Sequence, residues 1–298
     1  MLERDQALMI GNGAIGVALY GRLVRLGLTV GFVGRQGPMT YRARFAGAPP
    51  VDAPRLELGS PRLVLAVVAV KAFDLEAALT WTAHLQSGTI VWPVSNGAVA
   101  AQVEAAAAKR PDLHWRLGYC TFGVTALGPA SYQAGSQGGE LGIGPLNGVD
   151  GPLPVEQDWF DREALFRWHP RILWMHRRKW LFNTVINTLA ATQRRAHNGE
   201  LLGDLPMLAA VFSEALRLGQ QLWGPWPLSR DELYAALLQL IEATADNENS
   251  MARDMRLARP TESSFLAGLA TDERAYPLLT SLHRQITAMA GHAPSKKG

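Results

Sequence analysis

The stretch Ala7-Leu8-Met9-Ile10-Gly11-Asn12-Gly13-Ala14-Ile15-Gly16 decides the fold of this chain. It joins a short apolar run, typical of a buried strand, to a helical run through a G-x-G-x-x-G turn. In that context Gly11 allows the tight turn, Gly13 lets backbone approach a pyrophosphate, and Gly16 lets the helix pack closely on the strand. The helix N-terminus offers N–H groups and a positive dipole end to phosphates. Residues 11–16 are therefore predicted to bind a dinucleotide, and a glycine turn with a purely structural role is the alternative.

The end of the second strand candidate, residues 28–33, indicates which dinucleotide. In sites that bind NAD, an acidic residue about 20 positions beyond the glycines bonds the ribose 2′-hydroxyl. No Asp or Glu lies in residues 29–51, and Arg35 stands where the acid would be, with Arg42 and Arg44 close behind. An arginine fork suits the charge and the several acceptors of a 2′-phosphate. The sequence favours NADP over NAD, with a solvated loop arginine as the alternative for Arg35.

The composition describes a compact protein with no marked preference for a polyanionic partner. Of its 298 residues, 48% are apolar and 18% are charged, and the formal net charge is +3. A chain of this length can bury two cores, so two domains are expected. Because the basic residues are spread along the chain, the composition does not call for nucleic acid as a partner.

Cysteine usage and apolar runs predict the compartment. The single cysteine, Cys120, excludes an intramolecular disulfide and fits a reducing environment. Residues 1–5 are charged and include acids, unlike a secretory signal, and the longest apolar run, residues 63–70, is too short to cross a bilayer. We therefore expect a cytoplasmic protein without membrane contact. The seven histidines show no metal-ligand spacing, so no metal site is predicted.

The pattern of the chain changes near its middle. The first half alternates strand-like and helix-like segments with many glycines, as a parallel α/β sheet does, and a turn-rich break follows at residues 148–154. After His169-Pro170, helical periodicity dominates, with candidate helices over residues 173–193, 205–222, 229–245 and 250–257. The predicted fold is α/β, with an N-terminal Rossmann-type doubly wound parallel sheet in residues 1–168 and a C-terminal all-helical domain in residues 169–298.

Two polar residues follow predicted strands of the sheet. Lys71 comes directly after the apolar run 63–70, and Asn96-Gly97 follows the strand candidate 89–94. Ligands of open parallel sheets bind at the carboxyl ends of the strands, so both side chains are candidates for contacting cofactor or substrate. A surface lysine that opens a helix and an Asn-Gly turn are the alternatives.

In the helical half, Lys179, Asn183 and Asn187 recur every four residues and so line one side of a helix. The residues around them are mostly apolar, which predicts a largely buried helix. A buried amide without a partner costs about 1–3 kcal/mol, so the two asparagines need partners. A polar substrate would serve, and hydrogen bonds between helices are the alternative.

Three further positions have simple structural explanations when spacing alone is considered. Ser250 lies at a predicted helix start, where a serine usually caps the helix. Thr261 could cap another helix after Pro260, and Glu262 could complement that helix's dipole.

Taken together, these residues resemble the ketopantoate reductases (2-dehydropantoate 2-reductases) over essentially the whole chain. The glycine turn is followed in family order by these segments: Val70-Lys71-Ala72, Asn96-Gly97, Gly123-Val124-Thr125-Ala126-Leu127-Gly128-Pro129, Gly142-Ile143-Gly144, Lys179-Trp180-Leu181-Phe182-Asn183-x-x-x-Asn187, Asn198-Gly199-Glu200-Leu201, and Asn247-x-x-Ser250-Met251-x-x-Asp254 with Thr261-Glu262. A single match would be weak, but eight in the same order make chance improbable.

The resemblance implies an enzyme of pantothenate biosynthesis that delivers hydride from NADPH to 2-dehydropantoate and yields pantoate. Lys179 matches the family's general acid, and Glu262 matches its acidic partner, which binds the substrate hydroxyl. The resemblance implies a set of substrate contacts: Asn96, Asn183, Asn187, Asn247 and Ser250. The implied cofactor contacts are Gly11, Asn12, Gly13, Ala14, Ile15, Gly16, Arg35, Lys71 and Asn96.

The chain departs from the family pattern around the substrate. Ser95 replaces the usual glutamine, Ala98 replaces a further glycine, and Ala267-Gly268 stands where the family commonly has Asn-Gly. These departures leave open a related reductase of another branched 2-oxo acid, and a non-catalytic NADP-binding sensor is a third reading. Retention of Lys179 with Glu262 argues against the sensor, because a sensor needs no acid. The expected partner is a small 2-oxo acid, and a homodimer stays open.

Overall fold

A computed structural model describes residues 5–45, 51–128, 131–134 and 139–291. Residues 1–4 of the charged N-terminus, the side chain of Arg44, and Pro129 of the Gly123–Pro129 motif lie outside the described part. The chain divides into two compact units, Met1–His176 and Arg177–Gly298.

The first unit is built on two sheets. Its strands are β1 (Gln6–Ile10), β2 (Thr29–Gly34), β3 (Gly37–Met39), β4 (Tyr41–Phe45), β5 (Val51–Ala53), β6 (Leu63–Val68), β7 (Ile90–Pro93), β8 (His114–Cys120), β9 (Val124–Gly128), β10 (Ser131–Ala134), β11 (Leu141–Pro145) and β12 (Phe166–Trp168). The larger sheet has the order β12-β11-β8-β7-β6-β1-β2-β3, and the smaller one has the order β5-β4-β10-β9.

Helices follow the strands of the first unit and make up the second. They are α1 (Ala14–Arg25), α2 (Leu75–Leu79), α3 (Ala100–Lys109), α4 (Pro154–Arg162), α5 (Ile172–Thr192), α6 (Leu205–Trp223), α7 (Arg230–Ala243), α8 (Ser250–Arg256) and α9 (Pro277–Gly291). Short 3-10 helices span Ala72–Asp74, Thr80–His84, Asn198–Asp204, Ser263–Phe265 and Ala267–Leu269. None of the helices in the described ranges has the length and apolar character needed to cross a bilayer.

The larger sheet is the predicted Rossmann-type sheet. β1 pairs in parallel with both β2 and β6, β6 pairs in parallel with β7, and β7 with β8. β1 is buried along its whole length and β6 along nearly all of it, as expected for strands covered on both faces. Because β1 lies between β2 and β6, the strand order reverses beside it, and the carboxyl ends of these three strands frame the crevice where such sheets bind ligands.

The division between the units falls inside α5, whereas the sequence places the boundary before it, between residues 168 and 169. A Cβ added to Gly144 on β11 would lie 2.6 Å from the Cβ of Ile172, so the first turn of α5 packs closely on the sheet. The start of this helix thus remains with the first unit, and the rest of α5 belongs to the second.

Three helices differ from the sequence prediction. The break at residues 148–154 leads into α4, which was not predicted, and α9 was also not among the predicted helices. The prediction that Thr261 caps a helix is wrong: a 3-10 helix begins at Ser263, and Glu262 occupies the position before it. The other predicted helices agree with α5 to α8 to within two residues at each end.

Candidate active site

The glycine turn has the close contacts that its sequence predicts. Gly11 has φ of 109°, in the left-handed region that favours glycine. A Cβ on Gly11 would lie 2.5 Å from the carbonyl oxygen of Ala69, and one on Gly16 would lie 2.3 Å from the carbonyl oxygen of Gly11. Both glycines are therefore required by close backbone packing, because a side chain at either position would collide with a carbonyl group.

Gly13 differs from the other two glycines because it faces open space. Apart from Gly13 and its two chain neighbours, no described residue has an atom within 4 Å of where its Cβ would stand. Gly13 is the N-cap of α1 and has no side chain to accept the first N–H groups, and the first turn contains no acidic residue. The N–H groups of the first turn and the positive end of the helix dipole therefore face a space in which an anion fits. The residues of the turn fit a dinucleotide pyrophosphate.

Lys71 and Asn96 follow neighbouring strands, and the loops that carry them are joined by Ser95. The Ser95 hydroxyl is buried and donates to the carbonyl oxygen of Val70, at 2.8 Å. Lys71 and Asn96 are both half-buried. Ser95, where the chain departs from the family pattern, therefore has a structural role. Its hydrogen bond holds the ends of β6 and β7 together beside Lys71 and Asn96, the two candidate binding residues.

Arg35 lies directly after β2 with its side chain 89% exposed, and it pairs with an acid that sequence spacing did not reveal. Its Nη2 lies 3.3 Å from Oδ1 of Asp74, in the 3-10 helix after β6. Arg42, the next arginine along the chain, pairs with Asp52 at 3.5 Å. A carboxylate is therefore present beside Arg35, although none occurs in residues 29–51.

In the second unit, Lys179 lies beside a residue that joins α5 to the turn carrying Glu262. Trp180 is buried, and its Nε1 donates to the carbonyl oxygen of Phe265 at 3.1 Å. Glu262 is also buried, and its carbonyl oxygen accepts from the N–H of Phe265 at 2.9 Å. The Trp180–Phe265 hydrogen bond therefore ties the Glu262 turn to α5, one residue from Lys179. Lys179 itself is half-buried.

Asn187 has the interhelical partner that the sequence left as an alternative. Its Oδ1 accepts from Nδ2 of Asn249 at 3.0 Å, and that Nδ2 also donates to Oδ1 of Asn198 at 3.1 Å. Oδ1 of Asn249 accepts from the N–H groups of Met251 and Ala252, both at 3.1 Å. Asn249, which is 2% exposed, thus joins α5, the 3-10 helix after it and α8.

Asn249 was missed from the sequence, and it corrects the assignment of the α8 cap. The capping side chain is that of Asn249, and the expected capping serine, Ser250, is instead the first residue of the helix. The signal was available, because asparagine is among the strongest N-cap residues. Of the predicted substrate contacts, Asn183 is half-buried on α5, while Asn247 and Ser250 are exposed on either side of Asn249.

A second missed contact holds the Glu262 turn from its other side. Oγ of Ser263 lies 2.8 Å from Nδ1 of His283 on α9. Burial lowers the pKa of His283 below its ordinary value, because the charged imidazolium loses hydration. A Cβ on Gly268 would lie 2.8 Å from the same ring, so the departure Ala267-Gly268 packs against His283.

Within the described residues, no cluster of acids, histidines and cysteine suits a metal ion.

Two family models together match most of the chain. Residues 7–148 match the model described as ketopantoate reductase PanE/ApbA, and residues 171–289 match the model of its C-terminal part. A 2-dehydropantoate 2-reductase from Vibrio cholerae is 28% identical over 294 residues, covering 94% of this chain and 96% of the relative.

Solved structures show the same fold at lower identity. A dimeric ketopantoate reductase from Staphylococcus aureus has a TM-score of 0.75 and 17% identity, covering 96% of this chain and 99% of that one. A complex of D-mandelate dehydrogenase with NADH has a TM-score of 0.77 and 18% identity, again covering 96% of this chain and 99% of that one.

The glycine turn at the crevice of a Rossmann-type sheet, followed by a helical unit, is the architecture of a nicotinamide-dependent oxidoreductase. The two family matches specify the class further. The chain belongs to the ketopantoate reductase family.

Proposed function

We propose that this protein is an NADPH-dependent 2-dehydropantoate 2-reductase that forms pantoate for pantothenate biosynthesis. The observation that carries the proposal is the Trp180–Phe265 hydrogen bond, because it ties the helix that carries Lys179 to the turn that carries Glu262. An acid and a carboxylate held in this way suit reduction of a carbonyl in a substrate that also carries a hydroxyl. The relative that matches over nearly the whole chain has this activity in its name.

The cofactor proposal rests on the first unit. Bound NADPH supplies a hydride equivalent to the substrate carbonyl carbon. The N–H groups around Gly13 bind the pyrophosphate, and Arg35 binds the 2′-phosphate. Lys71 and Asn96, at the ends of adjacent parallel strands, orient cofactor and substrate at the rim of the sheet.

The catalytic proposal rests on the second unit. Lys179 donates a proton from Nζ to the carbonyl oxygen as the carbonyl carbon is reduced, and it then recovers a proton from solvent. A fixed ammonium stabilises the negative charge that develops on that oxygen more than it stabilises the ketone, which lowers the barrier. The Glu262 carboxylate accepts from the substrate hydroxyl. Contacts from Asn183, Asn187, Asn247 and Ser250 hold the remaining polar groups of the substrate.

A second candidate is reduction of another branched 2-oxo acid by the same residues. Two observations favour it: the Ser95 hydroxyl donates to the carbonyl oxygen of Val70, and Ala267-Gly268 packs on His283. Both lie where the chain departs from the ketopantoate reductases.

The test is NADPH oxidation followed by absorbance, with 2-dehydropantoate compared against a panel of branched and aromatic 2-oxo acids. We expect the highest kcat/KM for 2-dehydropantoate. A larger value for another acid would transfer the assignment to the second candidate. Binding of NADPH with no reduction of any 2-oxo acid would support the sensor and refute both reductase proposals.

Lys179→Ala tests the role of the general acid. We expect kcat to fall by about 10²- to 10³-fold, the usual effect of losing one preorganised donor, while the Kd of NADPH stays within about twofold. Lys109→Ala, at the exposed C-terminal end of α3, is the matched control and should keep full activity. A Lys179→Ala enzyme with near-normal turnover would remove this lysine from the mechanism.

The proposal includes the cytoplasm as the compartment, since the one cysteine is a buried thiol with no second cysteine to pair with, and nicotinamide cofactors are available there. It also includes a homodimer, because one structural neighbour is a dimeric ketopantoate reductase. Light scattering at micromolar protein concentration tests the assembly, and a monomer mass would refute the dimer without touching the activity.

A further inference from the structure

The ion pair between Arg35 and Asp74 brings together side chains that are 39 residues apart in the chain. Arg35 follows β2, and Asp74 ends the 3-10 helix after β6. In the larger sheet, β2 and β6 are the two neighbours of β1, which leads into the glycine turn. The pair therefore spans the turn proposed to hold the cofactor, at the carboxyl edge of the sheet.

The carboxylate that an NAD site needs is thus present. It is Asp74, which follows β6 rather than β2. Sheets of this kind bind NAD with a carboxylate that accepts from the ribose 2′-hydroxyl, and NADP with an arginine beside the 2′-phosphate. Here both groups lie 3.3 Å apart. We propose that Asp74 is a specificity-determining residue that weakens the preference for NADPH and lets the enzyme use NADH as well. The inference rests on the proposed function only in taking residues 11–16 as the dinucleotide site.

The charges determine the direction of the effect. A 2′-phosphate that binds Arg35 also lies near the Asp74 carboxylate, which repels it. Asp74 is 40% exposed and Arg35 is 89% exposed, so solvent weakens their attraction and the guanidinium can turn toward a ligand. Asp74 therefore opposes the phosphorylated cofactor without excluding it. With a 2′-hydroxyl in place of the phosphate, the same carboxylate becomes a hydrogen-bond acceptor.

Calorimetric titration of the full-length protein with 2′,5′-ADP and with 5′-AMP tests this inference. In Asp74→Asn we expect the Kd of 2′,5′-ADP to fall by about three- to tenfold, on the scale of one partly screened charge pair. The Kd of 5′-AMP should stay the same or rise. The gain for 2′,5′-ADP should shrink as salt is added. In steady-state assays, the ratio of KM for NADH to KM for NADPH should rise in the variant.

Glu76→Gln is the matched control, because it removes an equal charge from an exposed residue in the first turn of α2, two positions away. It should leave the selectivity between the two nucleotides unchanged. Equal effects of the two variants would mean that only net charge matters and would overturn the inference. Weaker 2′,5′-ADP binding in Asp74→Asn would also overturn it, because Asp74 would then serve to position Arg35 for the phosphate.

Failure of the inference and failure of the proposed function are distinguishable. If the native enzyme reduces 2-dehydropantoate with NADPH while Asp74→Asn leaves the nucleotide selectivity unchanged, only the role of Asp74 is lost. If the native protein binds neither 2′,5′-ADP nor 5′-AMP, the cofactor site itself is wrong, and both proposals fall.

Discussion

A single asparagine, Asn249, has more influence on the proposed substrate site than its place in the sequence indicated. Its amide nitrogen donates to two other asparagine side chains, Asn187 and Asn198, while its amide oxygen caps α8. The two ends of this amide therefore have separate roles. The nitrogen positions Asn187, a proposed substrate contact on α5, and the oxygen fixes the start of α8, which carries Ser250.

Asn249→Asp separates these two roles, because aspartate keeps the capping oxygen and loses both N–H donors. We expect KM for the 2-oxo acid to rise several-fold and the free energy of unfolding to fall by about 1–3 kcal/mol, since the amide oxygens of the buried Asn187 and the half-buried Asn198 each lose a donor. KM for NADPH should not change. Asn249→Ala, which also removes the cap, should cost about a further 1 kcal/mol.

Steady-state kinetics and chemical denaturation measure both effects. A variant that loses stability while KM for the 2-oxo acid stays unchanged would show that the asparagine cluster supports the fold alone. That result would return Asn187 to the interhelical role that its contacts already display.

At the scale of elements, the strand–turn–helix unit was predictable because its determinants are local. Buried apolar strands and glycines at fixed spacing specify β1, the turn and α1 within about twenty residues of chain. By contrast, α4 depends on a distant residue: its Glu156 is buried and pairs with Arg116 on β8 at 2.6 Å, 40 residues away. The polar sequence of α4 carries no signal for that pair, so the local pattern indicates only a turn-rich break.

The same distinction applies to the candidate site. Lys179, Glu262 and the glycines lie in motifs that can be recognised in the sequence. The partner of Arg35 depends on which strands flank β1, and the Ser263–His283 contact depends on α9 packing against the Glu262 turn. Sequence spacing carries no information about either contact, because each joins elements that meet only in the folded chain.

Two glycine substitutions in the first turn should give opposite results. Gly13→Ala places a methyl group in open space at φ of −73°, which alanine readily adopts, so the fold should keep its stability. The methyl group stands where the pyrophosphate would approach, so the Kd of NADPH should rise at least tenfold. Gly16→Ala places its methyl group 2.3 Å from the carbonyl oxygen of Gly11 and should destabilise the protein by about 1–3 kcal/mol.

Thermal unfolding and calorimetric titration with NADPH distinguish the two variants. Tight NADPH binding by Gly13→Ala would contradict the pyrophosphate assignment, because the added methyl group would then lie away from the ligand. A stable Gly16→Ala protein would instead contradict the close approach of α1 to β1.

For the whole molecule, the shifted pKa values that bear on stability at acidic pH belong to a set of exposed carboxyls and to one histidine. Hydrogen bonds from neighbouring residues lower the pKa of the exposed carboxyls Glu200 and Glu232, and Arg284 does so for Glu273. Their contribution to stability is present above their ordinary value of 4.5 and is lost as the pH falls below it. Burial lowers the pKa of His283 below its ordinary value of 6.5. Mildly acidic pH therefore acts on His283 before it acts on these carboxyls.

The sign of the His283 effect follows from proton uptake. Below pH 6.5 the unfolded chain protonates this histidine more readily than the folded protein does, so stability declines as the pH falls through this range. Neutral His283 can accept from the Ser263 hydroxyl, and His283→Asn retains an acceptor near Nδ1 without the titration. We expect the unfolding midpoint in urea to fall between pH 7 and pH 5 in the native protein and to fall less steeply in His283→Asn. Equal slopes for the two proteins would mean that His283 is not desolvated in the folded state, and the contact holding the Glu262 turn to α9 would then be looser than its 2.8 Å distance indicates.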